Sequence, residues 1–527
     1  MKMKRYLASL LVSTVIAAPT SVLAKQTNLS ISEAAAEMGA GKTTSVKLTS
    51  AYLKRIAKID RAGPKINAIL ALNPDALAQA AALDSERAAG SVRGPLHGIP
   101  ILIKDNIESL DPVATTAGSL ALKDNITRRD APLVAKLRAA GAIILGKTNL
   151  SEWANIRSDN STSGWSAVGG LTKNPHILNR NTCGSSAGSG AAMAAGLAAA
   201  TIGTETDGSI VCPSAINGIV GFKPTVGLVS RRFIVPISHS QDTAGPMTGS
   251  VRDAAIMLTA IAGSDAEDPA TVDADARRTD YVAGLSADAL QGLRIGLIEQ
   301  RAADPALIAA AVKRLTDAGA TIVRVTAPTE SRETLDIAEF KVLLVELKAD
   351  LGTYLSGLPA GTTTNRSLAD IIAFNKANAA TELQHFGQDI FEKAELEKDL
   401  DDPAYLEALA TSRRLAGPDG IDSMLAKDRL DLLIGQTNGP AWVSTLGKGD
   451  AFAPPSISQL PAVAGYPHLT VPMGSIDRLP VGLSFIGAKW ADALVLRAGY
   501  AFEGEDQPLR ITPRFRKGAK PKKPTSP

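Results

Sequence analysis

Cysteine and histidine, the usual ligands of structural zinc, are scarce in this sequence. Only two cysteines and five histidines occur among its 527 residues, and no group of them has the spacing of a zinc site. The segment 188–190 begins a dinucleotide fingerprint, but Met193 stands where the third glycine would be. The sequence therefore predicts a protein without a bound metal or other cofactor. The two cysteines, Cys183 and Cys212, are either two buried thiols or one disulfide.

The apolar run at the N-terminus is too short to cross a bilayer. Residues 6–18 are mainly apolar and follow a start with three basic residues, whereas a membrane-spanning helix needs ~20 apolar residues. Residues 22–24, Val-Leu-Ala, offer a small-residue cleavage site. We predict a signal peptide over residues 1–24 and a periplasmic or secreted protein. Its mature chain starts near Lys25 and has no stable membrane span.

A large excess of charge of one sign is also missing. The formal net charge is +3, and the predicted leader carries three cations and no anion, so the mature chain is close to neutral. No excess is left to neutralise the phosphates of a nucleic acid, and we expect no nucleic-acid partner. The remaining basic cluster falls in residues 513–527, whose proline and glycine content is typical of a solvated, disordered tail.

Strand and helix patterns alternate in the first half of the chain. Residues 99–103 and 142–145 are short apolar runs of the kind that form strands buried on both faces, and residues 131–140 between them have a helical pattern. This alternation predicts a parallel or mixed sheet covered by helices. Further helices are expected within residues 32–59 and over residues 191–200.

The second half of the chain returns to the sheet after a helical segment. Residues from about 330 to 430 have a polar, helical pattern, and residues 430–435, 462–471 and 481–486 are again strand-like. The sheet is therefore expected to take strands from both ends of the chain. We predict an α/β fold with a large mixed β-sheet covered by helices. It forms a single domain over residues 25–512, with a helical insertion that shapes the substrate pocket.

A lysine ends one of the predicted strands. Residues 98–106 read GIPILIKDN, which places Lys104 at the end of a buried apolar run. Burial disfavours a charged ammonium group, and a neutral lysine can act as a base, whereas an exposed lysine keeps a pKa of ~10.4. The alternative is a structural pairing of Lys104 with Asp105 or with the backbone.

Two serine-rich turns follow. Residues 184–188 match the G-x-S-x-G nucleophile elbow, which would make Ser186 a nucleophile. In the second turn, residues 203–210, Ser209 follows a tight turn whose backbone N–H groups on Thr206, Asp207 and Gly208 could bind an oxyanion. Each turn alone is also compatible with an ordinary Ser- and Gly-rich loop.

Taken together, Lys104, Ser185 and Ser209 resemble the amidase signature family. The two serines are 24 residues apart, and the resemblance covers most of the mature chain. Four further segments carry it: residues 49–56, 146–149, 221–225 and 242–247. Residues 204–213, TETDGSIVCP, look most like the peptide amidase branch of this family.

The resemblance implies a role for each residue. Ser209 matches the acylated nucleophile, Ser185 the relay serine that follows a cis peptide bond, and Lys104 the final base. Backbone N–H groups of residues 206–209 match the oxyanion hole. The family implies hydrolysis of a carboxamide, such as a peptide C-terminal amide, to an acid plus ammonia or amine through an acyl-enzyme. The chain departs from the family at Cys183, where a glycine is common, and that change could narrow the space behind the relay.

Three alternatives accompany this interpretation. A Ser-His-Asp hydrolase would use Ser186 with one of the downstream histidines His239, His385 and His468. A component of a tRNA-dependent amidotransferase would share the fold but work with partner proteins, and the predicted leader argues against it. A catalytically inactive binding protein is disfavoured because all three catalytic residue types are present. The sequence leaves open whether the substrate is a peptide amide, an aryl amide or an aliphatic amide.

Overall fold

The computed structural model describes residues 27–328, 332–452, 454–504 and 511–518. The predicted signal peptide and residues 519–527 of the predicted tail lie outside these ranges. Over the described ranges, no helix combines the length and the apolar character that a membrane span requires.

A mixed sheet of eleven strands forms the centre of the molecule, in the order β1-β3-β2-β6-β8-β7-β12-β13-β11-β9-β10. The strands β4 and β5 form a separate two-stranded sheet. The strand bounds are β1 (Ile69–Leu72), β2 (Pro100–Lys104), β3 (Ile143–Thr148), β4 (Trp165–Ser166), β5 (Gly170–Leu171), β6 (Ala200–Glu205), β7 (Val220–Lys223), β8 (Thr243–Thr248), β9 (Arg294–Ile298), β10 (Thr321–Val325), β11 (Leu432–Gln436), β12 (His468–Ile476) and β13 (Leu479–Ile486).

Helices cover this sheet and fill the segment between β10 and β11. The α-helices are α1 (Ile31–Gly39), α2 (Ser45–Ile56), α3 (Ala76–Ala88), α4 (Pro132–Ala139), α5 (Ala187–Ala194), α6 (Val211–Asn217), α7 (Val251–Ile261), α8 (Ala274–Arg277), α9 (Pro305–Asp317), α10 (Arg332–Ser356), α11 (Leu368–Ala377), α12 (Ala379–Glu382), α13 (Asp389–Glu395), α14 (Pro403–Ala416), α15 (Ser423–Lys427), α16 (Gln459–Val463) and α17 (Asp492–Glu503). Short 3₁₀ or π turns occupy Ala57–Arg61, Leu120–Leu122, Glu152–Asn155, Pro269–Thr271 and Gly417–Asp422.

The predicted fold class is confirmed. Strand β2 pairs in parallel with both β3 and β6, and β9 pairs in parallel with β10 and β11, while the remaining pairs of the large sheet are antiparallel. All residues of β2, β3 and β6 are buried, as expected for strands covered by helices on both faces. The largest core cluster contains residues from Ile31 to Phe502, so both ends of the chain contribute to one core.

Three of the expected elements differ from the sequence interpretation. The pattern over residues 32–59 divides into α1 and α2. The helix expected at 191–200 is wrong in its second half, because α5 ends at Ala194 and Gly196 has a φ of 67°, a conformation that favours glycine and interrupts a right-handed helix. Likewise, the strand expected at 462–471 begins only at His468, after α16 and Gly465 with a φ of 71°.

The described part of the C-terminal tail contacts one loop. The N–H of Phe515 donates to the carbonyl of Pro175 at 2.8 Å, and that of Arg516 donates to the carbonyl of His176 at 3.2 Å. In return, the N–H of Leu178 donates to the carbonyl of Arg516 at 2.8 Å. Residues 515 and 516 therefore lie along the loop that precedes the serine-rich turn.

Candidate active site

Lys104 ends β2, the third strand from one edge of the large sheet, and is fully buried. The parallel register of β2 with β6 pairs Ile103 with Ile202, which places the lysine beside the end of β6. Its Nζ donates to Ser185 Oγ at 2.7 Å, to Thr204 Oγ1 at 2.8 Å and to the Thr204 carbonyl at 3.2 Å. The ammonium or amine group is thus directed at a serine hydroxyl.

The surroundings of Lys104 favour a substantial neutral fraction. Burial lowers the pKa of Lys104 to about 7, although the charges of Asp242 and Glu205 act in the opposite direction. The alternative of a Lys104–Asp105 pair does not fit the contacts. The carboxylate of Asp105 accepts from the N–H and hydroxyl of Thr116. Burial raises the pKa of Asp105 to about 6, and the cation that opposes this rise is Lys147, not Lys104.

Ser185, the predicted relay serine, lies in a buried turn ahead of α5. The peptide bond between Gly184 and Ser185 is cis, as the family resemblance implied. The carbonyl of Ser185 accepts from the N–H of Ser151 at 3.0 Å. The next residue, Ser186, donates its hydroxyl to the Thr204 carbonyl at 3.0 Å and accepts the Thr204 N–H at 3.2 Å. These contacts fix the serine-rich turn against the end of β6.

Ser209 follows β6 in a turn that leads into α6. Gly208 has a φ of 75°, a conformation that glycine adopts without strain. Glu205 holds the far side of the turn, because its Oε2 accepts the N–H groups of Ile210 at 2.6 Å and Val211 at 3.0 Å. The carbonyl of Ser209 accepts the N–H of Ser186 at 3.2 Å. The two serine turns therefore lie side by side.

The predicted oxyanion donors occupy this same turn. Within the described residues, the N–H groups of Thr206, Asp207, Gly208 and Ser209 donate to no protein acceptor. Backbone N–H groups that converge in one turn without a protein partner can stabilise a developing negative charge on a substrate oxygen. We call residues 206–209 the oxyanion turn.

A disulfide joins the two serine turns. Cys183 is bonded to Cys212, with the two Cα atoms 6.0 Å apart. Cys183 comes two residues before Ser185 and Cys212 three residues after Ser209. Of the two states left open by the sequence, the structure therefore has the bonded one.

The hydroxyl of Ser186 bonds to Thr204, and the contacts of the five histidines, all of which lie in the described ranges, are with other groups. His97 bonds to the Leu83 carbonyl, His176 to the Asn217 carbonyl and His468 to the Ser484 hydroxyl. The ring of His385 contacts Trp165. The fifth histidine, His239, bonds to Asp350 at 3.0 Å. These contacts do not support the Ser-His-Asp interpretation.

His239 is part of the group among the described residues that could ligate a metal, together with Glu346 and Asp350, whose ligand-type atoms lie within 4.8 Å of one another. Its Nδ1 faces Asp350 at 3.0 Å and its Nε2 faces Glu346 at 3.4 Å. Glu346 also accepts from the hydroxyls of Ser238 at 2.5 Å and Tyr405 at 2.8 Å. Because the ring bridges the two carboxylates, we interpret the group as the attachment of the 237–242 loop to α10.

A cavity of about 590 Å³ reaches Ser185. Thr204 and Thr206 line it beside this serine. Its walls are formed by the apolar segment 233–237 and by residues of and after α10, including Tyr354. A second cavity of about 560 Å³ adjoins the oxyanion turn at Asp207. Its lining is more polar than that of the first cavity and includes Asp336 and Gln459.

The structure brings two acidic residues to the site that sequence reasoning did not assign. Glu205 is fully buried, and burial raises its pKa against the lowering effect of Lys223. Asp242 lines the first cavity, and burial raises its pKa to about 6. Both belong to segments that carried the resemblance, but their roles depend on which backbone groups they contact, and a linear motif does not contain that information.

Comparison with known proteins agrees with this geometry. A family profile described as Amidase matches residues 47–496. The chain belongs to the amidase family. The native peptide amidase from Stenotrophomonas maltophilia is 51% identical to this amidase, with a TM-score of 0.88, and the match covers 93% of this chain and 99% of that one.

Two curated relatives are also similar to this amidase. A probable amidase from Arabidopsis thaliana is 37% identical over 485 residues, which cover 90% of this chain and 89% of the relative. One component of the glutamyl-tRNA(Gln) amidotransferase from Acidothermus cellulolyticus is 36% identical over 489 residues, covering 89% of this chain and 93% of the relative. The predicted family is thereby confirmed, and with it an enzyme that hydrolyses amide C–N bonds.

Proposed function

We propose that this amidase hydrolyses carboxamides through a Ser209–Ser185–Lys104 triad and an acyl-enzyme. The observation that carries the proposal is the 2.7 Å hydrogen bond between Lys104 Nζ and Ser185 Oγ. A buried lysine with a pKa of about 7 can accept a proton near neutral pH, which a solvent-exposed lysine does poorly.

The geometry supports a two-step reaction. Ser209 Oγ attacks the amide carbonyl carbon while its proton passes through Ser185 Oγ to neutral Lys104. The N–H groups of the oxyanion turn stabilise the negative oxygen of the tetrahedral intermediate. When the C–N bond breaks, the proton returns through Ser185 to the leaving nitrogen, which departs as ammonia or amine.

The second step regenerates the enzyme. Water attacks the acyl group on Ser209, and the same relay removes the proton of the water. The ester bond to Ser209 Oγ then breaks and that oxygen is reprotonated, so that an acid leaves the site. The side chains and backbone groups of the chain itself carry both steps.

For the substrate, we propose peptides with a C-terminal amide. The support is the 51% identity with a peptide amidase and the size of the cavity, about 590 Å³, since pockets for small ligands typically measure ~300–1,000 Å³. The apolar segment 233–237 and Tyr354 line the cavity and can pack against the side chain of a terminal residue.

We also propose that the enzyme is exported. The basic start and short apolar run of residues 1–24 support this, and so does the Cys183–Cys212 disulfide, because disulfides persist mainly in oxidising compartments.

A substrate panel tests the proposal. The purified chain is given a C-terminally amidated peptide, an anilide and a short aliphatic amide, and release of ammonia or aniline is measured, with Ser209→Ala as the control. We expect turnover of the peptide amide without any added protein and none by the variant. Mass spectrometry should also detect the acyl-enzyme on a peptide containing Ser209. Turnover that requires a partner protein would instead favour a component of an amidotransferase.

A further inference from the structure

We propose that Asp242 and Thr206 form a positioning pair that holds the oxyanion turn in its reactive geometry. This inference rests on the proposed function, because it assigns a role within the same reaction. Neither side chain belongs to the Ser209–Ser185–Lys104 relay.

The two side chains are joined directly. The hydroxyl of Thr206 donates to Asp242 Oδ1 at 2.5 Å. The other carboxylate oxygen, Oδ2, accepts the N–H groups of Ile237 at 2.8 Å and Ser238 at 3.0 Å. A carboxylate with three donors is fixed in orientation, so the hydroxyl of Thr206 is held at one place beside the first cavity.

The loop that carries Asp242 is itself anchored to the helical region. Glu346 of α10 accepts the hydroxyl of Ser238 at 2.5 Å and the N–H of Ser240 at 3.0 Å. Asp350, one turn further along α10, accepts the N–H of His239 at 2.7 Å. The loop therefore connects a wall of the substrate cavity to the oxyanion turn through well-defined hydrogen bonds.

Thr206 is the first residue of the oxyanion turn after β6. Its own N–H and the three that follow must point toward the oxyanion to stabilise it. A displaced donor stabilises the oxyanion less and lowers the reaction rate. On the other side of the turn, Glu205 holds the N–H groups of Ile210 and Val211. Asp242 thus fixes the start of the turn and Glu205 fixes its end.

Asp242 also faces charged groups on several elements. Lys104 at the end of β2 is affected by its negative charge, as is Arg231 in the loop after β7. Asp350 on α10 acts on Asp242 in turn and disfavours its ionisation. Neutralising Asp242 therefore has two separable effects: it weakens the bond to Thr206, and it lowers the pKa of Lys104 by removing a nearby negative charge.

Substitutions at the two positions separate these effects. Thr206→Val keeps the shape of the side chain but removes its hydroxyl, and we expect kcat on an amidated peptide to fall roughly 10- to 100-fold with little change in KM. Thr206→Ser keeps the hydroxyl and should retain most of the native kcat. The matched control is Thr248→Val at the opposite end of β8, which removes a buried hydroxyl bond to the Ser250 carbonyl and should affect stability without changing kcat.

The pH profile provides the second measurement. In Asp242→Asn, the rising limb of kcat/KM against pH should move to lower pH, because the pKa of Lys104 falls. In Thr206→Val the charge of Asp242 remains, and the limb should stay in place. The double variant should lose little more than the more damaging single variant, since both changes break one interaction.

The outcomes distinguish this inference from the proposed function. If Ser209→Ala and Lys104→Ala are inactive while Thr206→Val keeps kcat within about threefold of the native enzyme, the positioning pair is wrong and the triad stands. If Lys104→Ala or Ser209→Ala retains normal turnover, both proposals fail. Should Thr206→Val not fold, the kcat of Asp242→Asn on the plateau above the rising limb decides, and a value within about threefold of the native one overturns the inference.

Discussion

The Nζ of Lys104 and the Oγ of Ser185 lie 2.7 Å apart, although 81 residues separate them in the sequence. Lys104 comes from β2, and Ser185 from the turn before α5, which packs beside that strand. The contact depends on parallel pairing of β2 with β6, because Thr204 of β6 binds both the lysine and the turn. The sheet therefore brings together these two residues of the proposed relay.

Removal of the lysine amine tests the relay most directly. We expect Lys104→Ala to lose ~10²–10⁴-fold in kcat, the usual contribution of general-base assistance. Single alanine variants of His97, His176, His239, His385 and His468 provide the comparison, and each should retain more activity than Lys104→Ala. Near-normal turnover by Lys104→Ala together with an inactive histidine variant would show that the base is misassigned.

Replacing Ser185 by alanine should reduce activity less than replacing Ser209 by alanine. Loss of the Ser209 hydroxyl leaves no nucleophile, so labelling by a serine-directed reagent should disappear in Ser209→Ala. In Ser185→Ala a water molecule can take the place of the hydroxyl and carry the proton, so slow labelling should remain. Equal labelling of the native enzyme and Ser209→Ala would place the nucleophile elsewhere.

The activity should rise with pH through about pH 7. Burial lowers the pKa of Lys104 to about 7, and only the neutral amine accepts the proton, so the active fraction increases as the pH passes upward through this value. Initial rates of ammonia release, measured in buffers with overlapping pH ranges, give the rising limb of the pH profile. A limb centred near the ordinary lysine value of ~10.4 would contradict a desolvated base.

Reduction of the disulfide should lower the free energy of unfolding. The bond closes a loop with a sequence separation of 29, for which chain entropy gives a contribution of about 3.5 kcal/mol. Urea unfolding midpoints with and without dithiothreitol measure it. The double variant Cys183→Ser/Cys212→Ser is the control, and its midpoint should not respond to the reductant.

The exported protein should begin at Lys25, within one or two residues. The leader has a basic start, a short apolar run and a small-residue site ending at Ala24. Intact-mass analysis of protein recovered from outside the cytoplasm gives the new N-terminus. Soluble protein that retains Met1 would argue against export.

The sequence alone predicted part of this picture. Lys104, Ser185 and Ser209 could be proposed together because each lies in a short motif, and the structure brings Lys104 and Ser185 into contact. The contact of Asp242 with Thr206 could not be predicted, because it depends on the pairing of two strands. Neither sequence segment indicates which strand it pairs with. Gly196 shows another limit, since the apolar periodicity continues through it while its positive φ ends the helix.

The helical region between β10 and β11 supplies one wall of the cavity, through Asp350, Thr353 and Tyr354, but none of the proposed triad. The two strands that it connects, β10 and β11, lie on either side of β9. Both are far from β2 and β6 in the order of the sheet. Substitutions in this segment that leave Glu346 and Asp350 in place to hold the 237–242 loop can therefore alter which acyl groups fit while the proposed proton path stays intact. The acyl groups that fit can thus change at the cavity-lining positions of this segment that do not hold the loop.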